Sequence, residues 1–147
     1  MIGKKLKSKP AGSRLHHASH ATSVVAGIIV QSGQMLITQR LHDDAWGDYW
    51  EFPGGKVEEG ESDSQALQRE LWEELGIKTQ TGNLAWELTH NYPTHRVFVR
   101  FYYATIVTGA PHCLEVQAFR WVDRGQLSDF RFLPSNKTLL DFLKLKK

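Results

Sequence analysis

The stretch from Ser62 to Leu75 most restricts what this chain can become. Ser62 followed by Gln65 forms a capping-box signature, Leu67, Leu71 and Leu75 recur at helical spacing, and Gly76 stands where a C-cap belongs. The pattern predicts a helix with one apolar stripe, which must be covered by another layer. Strand signals lie on both sides of it. Ser23 to Val30 is rich in β-branched residues and reads as a buried strand, Ser32-Gly33 as a turn, and Met35 to Gln39 as the hairpin partner. Leu84 to Thr89, Arg96 to Val107 and Ala118 to Val122 read as further strands, and Leu41 to Tyr49 as a loop. A second helix starts at Pro134-Ser135 and turns Leu139, Leu140, Phe142 and Leu143 inward. This order predicts an α+β or α/β sandwich.

The remaining composition narrows the setting. A length of 147 residues suits one domain with its own core. The single cysteine, Cys113, has no partner for an internal disulfide. The longest apolar run, Val24 to Val30, falls far short of the roughly 20 residues that span a bilayer. The N-terminus is basic but lacks the apolar segment of a signal peptide. A cytoplasmic, soluble domain over residues 21–147 is expected, with no membrane partner, preceded by a flexible basic arm over residues 1–20. His16, His17 and His20 read as part of a solvated tail, and the absence of interleaved aromatics argues against a stable nucleic-acid partner. The five tryptophans, Trp46, Trp50, Trp72, Trp86 and Trp121, read as core or pocket wall. The oligomeric state, monomer or homodimer, stays open.

Charge is unevenly distributed. No acidic residue precedes Asp43, whereas half of the 16 acids lie between Glu51 and Glu74. Such a cluster repels itself unless a cation neutralises it. On the predicted helix Glu70, Glu73 and Glu74 share one face, beside the leucine stripe at the edge of the core. Two readings follow from that spacing: a solvated acidic face with Arg69 paired to Glu73, or carboxylates that coordinate a hard divalent cation. The residues before the helix favour the second. Pro53-Gly54-Gly55 permits a tight turn and a close backbone approach to a ligand, and Glu61 sits at the helix entrance.

Together these residues make a recognisable pattern. Gly55, five residues, Glu61, seven residues, and then Arg69-Glu70-Leu71-Trp72-Glu73-Glu74-Leu75-Gly76-Ile77 match the Nudix box at every defined position. The chain resembles the MutT-like branch of the Nudix hydrolases, the 8-oxo-dGTP diphosphatases and related pyrophosphohydrolases. The resemblance implies an α/β/α sandwich around a central mixed β-sheet, with Mg²⁺ (or Mn²⁺) as cofactor. It implies Glu70, Glu73 and Glu74 as metal ligands, aided by the Gly54 carbonyl, with Glu61 and Arg69 orienting them. Glu115, six residues before Trp121, matches a further family glutamate that reaches the metal.

The implied reaction is metal-assisted hydrolysis of a nucleoside triphosphate to the monophosphate and pyrophosphate, by water attacking the β-phosphorus. Glu70 is the first choice for the group that takes the water proton, with Glu115 and Glu73 as rivals. On the substrate side, Gly55 and Lys56 match positions near the phosphates and Arg40 a family arginine near the nucleotide. Phe52 would supply apolar wall. Asn136, in Phe132-Leu133-Pro134-Ser135-Asn136, matches the residue that hydrogen-bonds the 8-oxoguanine base; otherwise it is a first-turn helix residue. One departure stands out: His95 falls where the pattern has a base-contacting arginine, and Arg96 follows one place later, on the opposite strand face. The expected role is removal of 8-oxo-dGTP from the nucleotide pool, which prevents mutation. The alternatives are another Nudix substrate (CTP or dCTP, ADP-ribose, a dinucleoside polyphosphate) or a catalytically silent nucleotide-binding module.

Overall fold

The strand that begins the domain is apolar on both faces, and the architecture follows from that. In the computed structural model, which describes residues 21–145, β1 (Thr22–Gln31) turns Val25 and Ile29 towards one layer and Ala26 and Ile28 towards another. A strand buried on both faces reads as a continuous β-branched run rather than an alternation. Leu67, Leu71 and Leu75 of α1 (Asp63–Leu75) cover the first face. Leu139, Leu140 and Leu143 of α2 (Lys137–Leu145) cover the second. The result is an α/β/α sandwich.

The sheet is mixed. β1 runs parallel to β6 (Arg96–Thr108), from Thr22 opposite Val97 to Ile29 opposite Ala104. Its other edge forks. The first half pairs antiparallel with β4 (Gly54–Lys56), and the end makes the hairpin with β2 (Gln34–Gln39) through Ser32 and Gly33, both at positive φ. β2 continues antiparallel to β3 (Trp50–Glu51) and β7 (Ala118–Val122), while β5 (Lys78–Asn91) flanks β6. The fork matters for function, because it opens a gap between β4 and the β2–β3 ladder.

Several expectations need correction. Pro53-Gly54-Gly55 is not a turn: Gly54 and Gly55 belong to β4, opposite Ala26 and Val25. β5 is longer than Leu84 to Thr89 because irregularities near Leu84 interrupt its alternation without ending its pairing to β6. Pro134–Asn136 is a separate 3₁₀ turn, and the α-helix proper starts at Lys137. Trp72 is not core: it is 53% exposed on the outer side of α1, where it borders a shallow surface depression with Arg69 and Lys78. The basic arm and the histidines at 16, 17 and 20 lie outside the described residues.

α1 is fixed at both ends. The Ser62–Gln65 capping box closes its start and Gly76, at φ 70°, its end. Asp63 then ties the first turn to the sheet: Arg100 Nε and Nη2 donate to its two carboxylate oxygens, and the Tyr102 hydroxyl donates to Oδ2. The Arg100 hydrogen bonds, with help from Tyr102, hold the Asp63 carboxyl below its ordinary pKa. A depressed folded-state pKa adds stability above the unfolded value of about 3.9, and that stability is lost as pH falls through the folded value. Asp63→Asn is therefore expected to cost about 1.5–3 kcal/mol at pH 7 in urea melts. The difference from wild type should shrink when the melts are repeated below pH 4.

Candidate active site

Arg69 organises the carboxylates of α1. Its Nε and Nη2 donate to the two oxygens of Glu61, at 2.6 and 2.9 Å, and Nη2 also donates to the Lys56 carbonyl at 3.0 Å. Nη1 reaches Glu70 Oε2 at 3.0 Å and Glu73 Oε1 at 3.3 Å. The Arg69–Glu73 pair expected of a merely solvated face is thus present, but as one arm of a larger hub. The hydrogen bonds from Arg69 hold the Glu61 carboxyl below its ordinary pKa, and Glu61 in turn raises that of Arg69. Glu61 also accepts the Glu58 amide, so the loop entering α1 is pinned to the same centre.

Glu70 and Glu74 lie deeper than the edge of the core: they are 2% and 0% exposed. They are four residues apart on the flank of the leucine stripe, so the packing that buries Leu71 draws both carboxylates in. Glu70 lies directly behind Gly55. A Cβ placed on Gly55 would stand 2.4 Å from Glu70 Cδ, so only glycine leaves room for the carboxylate. At the other end of the helix, the Glu74 carbonyl accepts the amides of Leu114 and Glu115, and the Leu75 carbonyl that of His112. These bonds satisfy carbonyls that a helix C-terminus leaves open, and they bring the Glu115 backbone beside Glu74.

This donor set is suited to a hard divalent cation. It offers carboxylate oxygens of Glu70, Glu73 and Glu74 with the Gly54 backbone nearby, and no sulfur or imidazole. Among the described residues no three such side chains converge at ligand distance. Arg69 holds oxygens of Glu70 and Glu73 instead, so a cation recruited here would compete with a guanidinium for them.

A cavity of about 470 Å³ is bordered by Gly54, Gly55 and Lys56. Of the residues singled out in the sequence, Arg40, Phe52, Gly54, Gly55, Lys56, His95 and Asn136 line it. Arg96 does not: it hydrogen-bonds Asn91 on the other strand face. Arg40 is buried, held by Glu51 through Nη1, by the Ala45 carbonyl through Nε and by Asp44 at 3.5 Å. Burial alone would lower its pKa, but Glu51 and Asp44 outweigh that and raise it. Asn136 is brought to Phe52 by the segment before it, where the Trp50 amide bonds the Arg131 carbonyl and the Leu133 amide bonds the Trp50 carbonyl. The Phe52 amide then donates to Asn136 Oδ1 at 3.3 Å.

Trp46, read as core or pocket wall, lines the cavity, and so do Glu51, Tyr92 and Ser135, which the sequence did not assign to it. Glu51 was visible only as one member of the acidic cluster, and Ser135 as the neighbour of Asn136. Tyr92 stacks on His95 with ring centroids 5.2 Å apart and meets Trp46 at 5.4 Å, making one aromatic wall. No local pattern marks that contact, because it joins the loop after β2 to the end of β5.

A buried carboxylate helix beside an aromatic and polar cavity suits metal-assisted hydrolysis of a phosphoric anhydride. The NUDIX domain family model matches residues 24–142, and the chain belongs to the Nudix family as a pyrophosphohydrolase. An 8-oxo-dGTP diphosphatase of Haemophilus influenzae is 40% identical over 118 residues, 80% of this chain and 87% of that protein. A CTP pyrophosphohydrolase of Escherichia coli is 33% identical over 124 residues, 84% of this chain and 92% of the other. The solution structure of the E. coli ORF135 protein matches with a TM-score of 0.71 at 31% identity, covering 93% of this chain and 95% of that one.

The two glycines of β4 should respond differently to alanine. At Gly55 the clash is with the movable end of Glu70, so Gly55→Ala should fold while losing on the order of 10²-fold in kcat. At Gly54 a Cβ would stand 2.0 Å from the Val25 carbonyl oxygen, so Gly54→Ala should break the β1–β4 pair and cost about 3 kcal/mol or more. Urea melts combined with single-substrate kinetics separate the two outcomes.

Proposed function

We propose that this Nudix enzyme hydrolyses 8-oxo-dGTP to 8-oxo-dGMP and pyrophosphate, clearing the oxidised nucleotide from the cytoplasmic pool. The observation that carries the reading is the division of the cavity. Gly55 backs onto Glu70 at one side, while Asn136, Phe52 and the Tyr92–His95 wall stand at another. The phosphates would lie over Gly55 and Lys56, and the base against Asn136.

A Mg²⁺ or Mn²⁺ ion held by Glu70, Glu73, Glu74, the Gly54 carbonyl and Glu115 would neutralise phosphate oxygens and acidify a bound water. The chain's own residues supply the rest. Glu70 is the base we assign for the water proton, since it is buried next to Gly55 and oriented by Arg69. Arg69 and Glu61 hold the ligand carboxylates in place as one unit. Lys56 contributes positive charge within the cavity, and Arg40, paired with Glu51 and Asp44, stands as a fixed polar wall.

Base choice follows from the Asn136 amide. Its oxygen keeps one lone pair after accepting the Phe52 amide, and its NH₂ supplies donors next to that acceptor. An acceptor beside a donor complements the N7–H and O6 of 8-oxoguanine, whereas unmodified guanine presents a bare N7 that the oxygen repels. His95 borders this base side, so it rather than Arg96 takes the place of the family arginine. The second reading, a CTP-type substrate, draws on the E. coli CTP pyrophosphohydrolase that matches over a similar span.

Two measurements test this. The ratio of kcat/KM for 8-oxo-dGTP over dGTP should reach about 10² or more, with CTP, dCTP and ADP-ribose poorer still. A better rate on CTP would establish the second reading instead. Glu70→Gln should lower kcat by about 10²–10⁴ with little change in Tm, and wild-type turnover should stop with a chelator and return on adding Mg²⁺ or Mn²⁺. Wild-type turnover by Glu70→Gln would remove Glu70 from the mechanism.

A further inference from the structure

Asn136 does not stand alone in the wall. It is 4% exposed and its neighbour Ser135 5%, yet both line the cavity. Across from them, at the end of β5, the Tyr92 hydroxyl lies 2.8 Å from Ser135 Oγ and also accepts the Ser135 backbone amide at 3.2 Å. Asn136 Nδ2 is in turn 3.4 Å from Ser135 Oγ.

The two backbone amides in this set have a forced direction. An amide N–H only donates, so the Tyr92 oxygen accepts from Ser135 N, and its hydroxyl can give its proton to Ser135 Oγ. Ser135 Oγ receives that proton and accepts the Asn136 NH₂ as well. On the far side of the amide, the Phe52 N–H requires the oxygen, not the nitrogen, of Asn136. The Phe52 N–H sets the orientation of the amide, oxygen to Phe52, and Ser135 Oγ holds the nitrogen on the other side. An amide turned over would present a donor where the base-side acceptor is needed, favouring a bare ring nitrogen over a ring N–H.

We propose that Tyr92, by anchoring Ser135 Oγ against the Asn136 nitrogen, holds the amide in the orientation set by Phe52 and so sharpens which base edge the cavity accepts. The inference rests on the functional reading above, in which Asn136 faces the base. Tyr92 is a positioning residue in this scheme: its hydroxyl works on Ser135, while its ring packs on His95, His90 and Trp46. Tyr92→Phe keeps those ring contacts and removes only the relay, and Ser135→Ala removes the relay from its other member.

The test compares kcat and KM for 8-oxo-dGTP and dGTP in wild type, Tyr92→Phe, Ser135→Ala and the double variant, with Tm measured on each. The 8-oxo-dGTP to dGTP ratio of kcat/KM should fall about tenfold in either single variant, through KM rather than kcat. The double variant should fall no further than a single one, since both changes break the same chain of bonds. Binding of 8-oxo-dGMP against dGMP, measured by calorimetry without metal, should lose the same selectivity. An equal loss on both substrates, or losses that multiply in the double variant, would overturn the proposal in favour of a purely structural pair. Should wild type prefer another triphosphate, the functional reading falls by itself. The relay is then scored on the ratio of that substrate to dGTP, and an unchanged ratio in Tyr92→Phe overturns it.

Discussion

The backbone of Gly54 and Gly55 lies so close to β1 on one side and to Glu70 on the other that no side chain fits between them. This close approach joins the parts of the molecule that matter for chemistry. It lets β4 pair with the first half of β1, and it lets α1 settle onto the sheet with Glu70 pressed against the strand. The same glycines border the cavity. With larger residues there, helix and sheet would stand further apart, and the carboxylates would lose their place beside β4.

Burying carboxylates on α1 is costly unless their charge is answered. Arg69 answers it for Glu61, Glu70 and Glu73, and binds the Lys56 carbonyl as well, so β4, the entry loop and the helix share one guanidinium. The same economy recurs in the cavity, where Glu51 and Asp44 flank the buried Arg40. Each charged group is thereby held still by an opposite charge, which is what a preorganised site requires. The Asp63–Arg100 pair serves that end from a distance by keeping the first turn of α1 on β6.

Much of the fold was legible because it depends on local patterns. β1 and its hairpin, α1 with both caps, and β6 follow from β-branched runs, turn residues and leucine spacing. β3 and β4 were not, because strands of two or three residues have no period to read; their pairing is decided by β1 and β2. The glycines of β4 were read as turn residues because glycine marks both a turn and a close contact, and only the packing tells these apart. Trp72 lies inside the box helix, but at a position that faces outward, so it is a surface wall and not core.

The site divides along the same line. The sequence by itself determined the carboxylate half, since Gly55, Glu61, Arg69, Glu70, Glu73 and Glu74 fall within one short segment that ends in a single helix. It also indicated Asn136, Arg40 and Glu115 through resemblance. Only the tertiary structure decided how the cavity half is built. The Arg40–Glu51 pair, the Tyr92–His95–Trp46 wall and the Tyr92–Ser135–Asn136 relay join residues up to dozens of positions apart, along a gap created by the forked edge of β1. Helical spacing is carried in the order of residues, whereas contacts across a gap depend on where separate elements come to rest.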